Sequence, residues 1–525
     1  MNKETKNLML IILIVLSLFL FFNYINFNSN DYYDYYEMKN SIIMSRIENK
    51  SLFLGLTIKS ENCSYDLNTD TCYFSIANDY GLKKMKTHVH LINKNVNYIS
   101  SSGSNSVSIV YDLSGNNEIL LYDDNYYYLL NVKFVNNPII NIVELKDLSK
   151  KFNDYFDNSI LSLTSSEKSI EENNDKQIFI SVYQNNGLLN INTKGLYHVR
   201  GASSFSFPKK SYKIDLEQNE SFFGMKSDND WILDAVYADR SKVRDRLSSD
   251  LWNLINDNQS ISNDLNGNFV ELFIDGNYVG VYSFKEDLDK KRVNVLSNGL
   301  LAKSVDIGVT YDLSYRNLKK NYKKYYYNDV FINSFNIKYS GDYSLENFFN
   351  RLDVYYSDRS FTSLSNIFDI NNYINYNLFI SLIGGFDNIN KNFFYSMTDL
   401  DSKILITPWD MDLTWGLIWT QNDELNNAFS LDFASDINWI NQNITKGMDE
   451  KTLSLMKQRY WELRKNVITM DTINGYLDSY KESLVNSGAA KRDSERWYEY
   501  DVEFEIEQIR EWARRRIEFL DEYFK

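Results

Sequence analysis

The sequence predicts an α+β protein: an N-terminal membrane-spanning helix, a small all-β domain, and a large region in which strands give way to helices. Three observations carry this. Residues 8–22 are apolar except for Ser17, and residues 51–128 break into short alternating runs such as LFLGLTI, THVHLI and NYYYLL. From residue 177 onward strand patterns precede helical ones, which end in a stripe of Val502, Ile506, Ile509, Ala513, Ile517, Leu520 and Phe524 at helical spacing. With 525 residues, 43% of them apolar and 15% aromatic, the chain has material for one large or several ordinary cores. A formal charge of −15, from 56 basic and 71 acidic residues, argues against a general nucleic-acid binder, which would carry a basic footprint.

Lys3 and Lys6 precede the first apolar run. About 20 helical residues cover about 30 Å, one hydrocarbon core. No small-x-small cleavage pattern follows, since Asn23, Tyr24, Ile25 and Asn26 come next. An uncleaved anchor over residues 1–28 is therefore favoured over a removed signal peptide, with the N-terminus cytoplasmic and the bulk extracytoplasmic or facing a spore or lumenal compartment. Residues 29–50, containing DYYDYYEMKN, read as a juxtamembrane spacer, and residues 51–136 as the small all-β domain, a sandwich. Cys63 and Cys72 either close a small loop in an oxidising compartment or stay as free thiols. With His88, His90 and His198 they are too few for a usual structural zinc site.

Residues 145–175 form a charged connector, and 177–183 (QIFISVY) a strand. In GLYHVRGASSFSFPKKSYKIDL two strands flank a loop, Gly201-Ala202-Ser203-Ser204, whose backbone N–H groups and hydroxyls can reach phosphate oxygens. Tyr212, Ile214 and Leu216 share one strand face, so Lys213 points the other way, toward whatever the loop covers. An ordinary solvated strand lysine fits the same pattern. Asp239 or Ser241 caps a helix carrying Val243, Leu247, Leu251 and Leu254, and FVELFIDGNYVGVYSFKED is a hairpin turning at Asp275-Gly276. Strand, loop, strand, helix, hairpin is the element order of a kinase small lobe. Both G-x-G-x-x-G and G-x-x-x-x-G-K are missing from it. Residues 300–365 show short apolar runs without an assignable role.

A helix over 367–383 leads into GGFDNINKNFFYSMTDLDSKILITPWDMDLTWG, residues 384–416, where acidic groups concentrate. Asp387, with Asn392 after four intervening residues, is joined to Asp410 and Asp412 by a hairpin built from 393–395 and 404–406. Phosphoryl transfer needs a carboxylate to orient and deprotonate the attacking hydroxyl, and an amide oxygen plus a second carboxylate to hold magnesium. D-x-x-x-x-N, a hairpin, then Asp supplies these in kinase order. Turn and capping residues alone would also read this way. Two carboxylates about 4 Å apart repel by roughly 4 kcal/mol at an effective dielectric of 20, so the group must hold a cation or raise a pKa. Hard oxygen ligands favour magnesium or manganese over zinc. Helices over 452–467 and 470–485 follow, then the final stripe, whose arginine run 514–516 reads as a solvated face.

Five motifs taken together give the chain a resemblance to a known family: RGASSFSFPKKSYKI (200–214), DWILDAVYADRSKVRDRL (230–247), GVYSFKEDLD (280–289), GGFDNINKNFF (384–394) and TPWDMDLTWG (407–416). Residues 137–525 resemble the spore coat protein H (CotH) kinase family, atypical kinases of bacterial spore coats and some cell surfaces. The resemblance implies an abbreviated, two-lobed protein-kinase-like fold that uses ATP and Mg2+ or Mn2+ to phosphorylate Ser or Thr of spore-coat or envelope proteins. It implies Asp387 as catalytic carboxylate, Asn392 and Asp410 as metal ligands with Asp412 assisting, and Arg200, Ser203, Ser204 and Lys213 along the phosphates. Glu286 falls on the nucleotide side of the hairpin, and Lys209 or Lys210 is an alternative phosphate lysine.

Two other readings compete. A structural or adhesive envelope protein could keep the domain without catalysis. Asp410-Met411-Asp412 is also a D-x-D that a nucleotide-sugar glycosyltransferase would use, although Asp387 and Asn392 then have no task. An outward-facing kinase also needs ATP beyond the cytoplasm, which a forespore or secretory lumen supplies.

Overall fold

The computed structural model describes residues 137–144, 175–183, 191–201, 203–256, 264–305, 335–420 and 427–525, residues 69 and 425, and short strands between residues 57 and 135. The expected membrane span and spacer and residues 145–174 of the connector lie outside the described residues. Among the described residues no helix is long and apolar enough to cross a membrane. The protein is a mixed α/β chain in two compact units: residues 1–198, 216–218 and 270–281, and residues 199–215, 219–269 and 282–525.

In the first unit every described element before residue 136 is a strand, in line with the alternating pattern there. Thr57–Ile58, Glu61–Asn62, Lys84–His90 and Ser108–Asp112 form one sheet; Ser64–Asp66, Thr71–Ser75, Tyr127–Val135, Asn117–Tyr122 and Asn97–Ser100 form another. Cys72 is fully buried and disulfide-bonded, and the chain has one other cysteine, Cys63. Ile139–Glu144 pairs antiparallel with Lys176–Tyr183 and parallel with Gly267–Ile274, Ile139 opposite Glu271. Tyr73, Val135, Ile139, Tyr183, Phe273 and Tyr278 make one buried cluster, in which Tyr73 stacks on Tyr278 at 5.6 Å. The Asp66 carboxylate accepts from the Tyr278 N–H at 3.3 Å. The turn at Asp275 and Gly276 has positive φ at both residues, 49° and 68°, as a primed hairpin turn requires.

In the second unit Ser211–Glu220 pairs with Asp228–Asp234, which pairs with the end of Asn277–Glu286. Trp231 is fully buried and stacks on Phe284, their rings 5.1 Å apart. Both proposed caps of the Arg244–Asn256 helix act: Asp239 accepts from the Arg244 N–H at 2.9 Å and Ser241 from Val243 at 3.2 Å. Val243, Leu247 and Leu251 are buried as expected, but Leu254 is exposed and Trp252 and Ile255 take the inner face. Residues 300–365, without a role in the sequence reading, contribute Leu300–Ser304 and Phe335–Ser340 to a four-stranded sheet with Phe393–Met397 and Leu405–Pro408. The expected hairpin is there, Phe393 opposite Pro408.

The Ile370–Ile383 helix, capped by Asp369, is buried nearly all round, which makes it the central helix of this unit. Gly384, at φ 62°, ends it, and a Cβ there would lie 2.8 Å from the Trp512 ring. All seven predicted stripe residues of the last helix, Val502–Tyr523, and its end are buried. The arginine run does not behave as one solvated face. Arg514 and Arg515 pair with Glu511 on the surface, but Arg516 is fully buried. It lies four residues before Leu520 on the apolar side and donates to the carbonyls of Ser381 at 2.7 Å and Ala434 at 3.0 Å, groups that the ends of neighbouring elements leave open.

Candidate active site

All residues of the candidate site described here belong to the second unit. Asp387 sits on a single 3-10 turn, Phe386–Asn388, directly after the central helix. The Asn392 amide donates to its carboxylate at 3.0 Å, and Lys391 pairs with the same oxygen at 2.9 Å. Asn392 holds φ 59°, a left-handed conformation that asparagine tolerates better than most residues. The loop carrying Asp410 is tied to this turn by Asn388. The fully buried Asn388 amide donates to the carbonyls of Asn392 and Trp409, both at 2.9 Å, and the Trp409 N–H donates to the Asn392 carbonyl at 2.9 Å. The hairpin therefore delivers the two acidic segments to one place, as the sequence suggests, and Asn388 binds them there.

A second set of contacts holds the Asp410 loop from the other side. Asp245, in the first turn of the Arg244–Asn256 helix, accepts from the Met411 N–H at 3.0 Å. Its other oxygen meets Lys285 at 2.8 Å, and Lys285 reaches Asp234 at 2.8 Å while lying 5.3 Å from the Trp409 ring centre. Burial works against the Asp234 carboxylate, yet Lys285 and Arg200 outweigh it and bring its pKa down to about 2. The opposite holds across the loop. Asp410 is raised by the protein surrounding it and by Asp234 and Asp245, against Lys303 and Lys285. Asp412 is raised further, by burial and then by Asp410, Asp234 and Asp245.

The other expected residues divide. Lys213 does point away from the Ile214 face, and pairs with Asp230 at 2.6 Å and with Asp287. Burial opposes its charge, but the two acids hold its pKa above the usual value. Arg200 ends the Ile191–Arg200 strand, and its charge acts on Asp234 and Asp287. Ser203 and Ser204 open the Ser203–Ser206 3-10 turn. Glu286 lines a cleft with Lys285, Asp245, Asp410 and Met411, but its carboxylate is engaged by Arg292 at 2.7 Å and Asn266 at 3.2 Å. Lys209 is fully buried against Asp493 at 2.6 Å, which removes it from the phosphate alternatives. Lys285, Asp234, Asp245, Asn388 and Lys303 escaped the sequence reading. Lys285 and Asp245 stand in the hairpin and helix motifs already singled out; nothing in the pattern separates them from solvated charges.

Asn392 and Asp410 present hard oxygen donors beside crowded carboxylates, so the donor set fits a divalent cation of the magnesium type. Another acidic group, Asp228, Asp230 and Asp289, has oxygens within 4.8 Å of one another, but Lys291 already bridges it at 3.1, 3.6 and 3.7 Å. A carboxylate–amide pair facing a strained acidic loop across a hairpin is the equipment of a metal-dependent phosphotransferase. Residues 197–520 match the family described as CotH kinase protein, and the chain belongs to that family. Membership in a kinase family implies ATP and a divalent metal. A comparison with curated proteins finds no match.

Proposed function

We propose that the chain is an atypical Ser/Thr protein kinase, anchored by its N-terminal segment, that moves the ATP γ-phosphoryl group to spore-coat or envelope proteins outside the cytoplasm. Its nucleotide would lie in an abbreviated, two-lobed kinase-like fold. The observation that carries this reading is the Asn388 clasp, which puts Asp387, Asn392 and Asp410 on one connected framework.

In this reading Asp387 accepts the proton of the acceptor hydroxyl as its oxygen bonds to the γ-phosphorus, while the bond from that phosphorus to the β–γ bridging oxygen breaks and ADP leaves. A divalent cation, held by Asn392 and Asp410 with Asp412 assisting, would offset charge on the phosphate oxygens. Arg200, Ser203, Ser204 and Lys213 line the phosphates, and Glu286 borders the nucleotide. The Asn392 amide and the Lys391 ammonium both hold the Asp387 carboxylate in position.

Purified protein incubated with γ-labelled ATP and Mg2+ or Mn2+ tests this beside Asp387→Ala and Asp410→Ala. Labelling of the wild type alone is expected; equal labelling of all three would refute the site.

A further inference from the structure

Lys303 lies on the Leu300–Ser304 strand, in the segment without a role in the sequence reading. The next residue grips the catalytic turn: the Ser304 hydroxyl donates to the Asn390 carbonyl at 2.8 Å and its carbonyl accepts from the Asn392 N–H at 3.1 Å. On one side Lys303 is opposite Phe394, whose ring packs edge-on against Trp409 at 5.5 Å. On the other it is opposite Asn336, and the register shifts just beyond, between Leu301 and Ala302, at the level of Lys338 on Phe335–Ser340. Lys303 is half-buried and Lys338 exposed, and none of Lys303, Arg200 and Lys338 has a side-chain hydrogen bond or ion pair among the described residues. Burial works against the Lys303 charge and lowers its pKa; Asp410 is the acid that supports the charge most, while Arg200 and Lys338 repel it. Arg200, Lys303 and Lys338 come from three separate segments, and Lys303 feels the charge of the other two and of Asp410. Elsewhere in the unit the buried Lys285 sits between two carboxylates and the buried Lys242 donates to the Val236 carbonyl. A partly desolvated ammonium without such partners gains from an anion brought beside it.

We propose that Lys303, supported by Arg200 and Lys338, binds the terminal phosphate of the nucleotide across the cleft from the Ser203–Ser206 turn. The assignment rests on the kinase reading above. Lys303 places its charge where the transferring group lies between Asp387 and Asp410, so it recognises a triphosphate and ignores the base and ribose.

The test is calorimetric titration of the full chain with Mg2+ and, separately, AMP, the non-hydrolysable analogue AMP-PNP, and inorganic tripolyphosphate. Lys303→Met should weaken AMP-PNP and tripolyphosphate by about 10- to 100-fold and AMP by less than about threefold, with Lys303→Arg regaining most of the loss. Lys303→Gln, carried alongside, covers a Met variant that does not fold. Tripolyphosphate binding that persists in Lys303→Met and Lys303→Gln overturns the site whatever the nucleotides do, as does an equal loss of AMP. A wild type that takes tripolyphosphate through Lys303 but ignores AMP-PNP keeps the anion site and sinks the nucleotide reading. A wild type that binds neither anion overturns both.

Discussion

The Asn392 side chain donates to the Asp387 carboxylate across 3.0 Å, so its amide nitrogen is engaged by the proposed base and its oxygen is not used in that contact. Replacing Asp387 with Asn keeps the shape of this pair and removes the proton acceptor. Phosphoryl transfer should fall by about 10²- to 10⁴-fold while nucleotide affinity stays within a few-fold of wild type. Rates with labelled ATP, paired with direct binding, separate the two; loss of both would point to structural damage instead.

Asp410 carries a backbone φ of 58° and a carboxylate crowded by Asp234 and Asp245. Asp410→Asn retains the conformational preference and removes one charge from the metal donors. Mn2+ binding, read by electron paramagnetic resonance, should weaken by at least about tenfold. Thermal stability without metal should hold or rise, because a repelling carboxylate has gone.

Gly416 closes the acidic stretch at φ 88°, and a Cβ there would lie 2.5 Å from Trp512 and 2.7 Å from Phe429. Gly416→Ala meets both a left-handed backbone and two aromatic rings in a packed core. A loss of about 2–4 kcal/mol in chemical denaturation is expected. A loss below about 1 kcal/mol would show that the rings have room to move.

Lys242 is buried, donates to the Val236 carbonyl at 3.0 Å and faces the rings of Tyr498 and Tyr500. Burial lowers its pKa from 10.5 to about 8, against the pull of Asp493. Between those values the unfolded chain binds more protons than the folded one, so this group adds stability as pH rises from about 8 to about 10.5. The gain is at most about 3 kcal/mol. Lys242→Met should lack that rise when denaturation midpoints are compared across the window; parallel curves for the two proteins would contradict it.

Much of the fold is legible in the chain because its signals are local. The Asp275-Gly276 turn, the Asp239 and Ser241 caps and the apolar stripe of the last helix each depend on neighbours within a few residues, and all appear where expected. Arg516 and Leu254 mark the limit. Periodicity places them on a helix, but which face is covered depends on partners such as Ser381 and Ala434 far along the chain.

Five motifs in order make the family legible in the sequence, and Asp387, Asn392 and Asp410 stand out by spacing but take their expected roles from the resemblance. How those groups are held is decided by packing. Lys209 and Lys303 look alike as letters; one is sealed against Asp493, and the other, with no ion pair among the described residues, precedes the Ser304 that grips the segment after Asp387. The reason is physical. A lysine's role is set by what surrounds its ammonium, and those surroundings come from segments distant in sequence that only packing brings together.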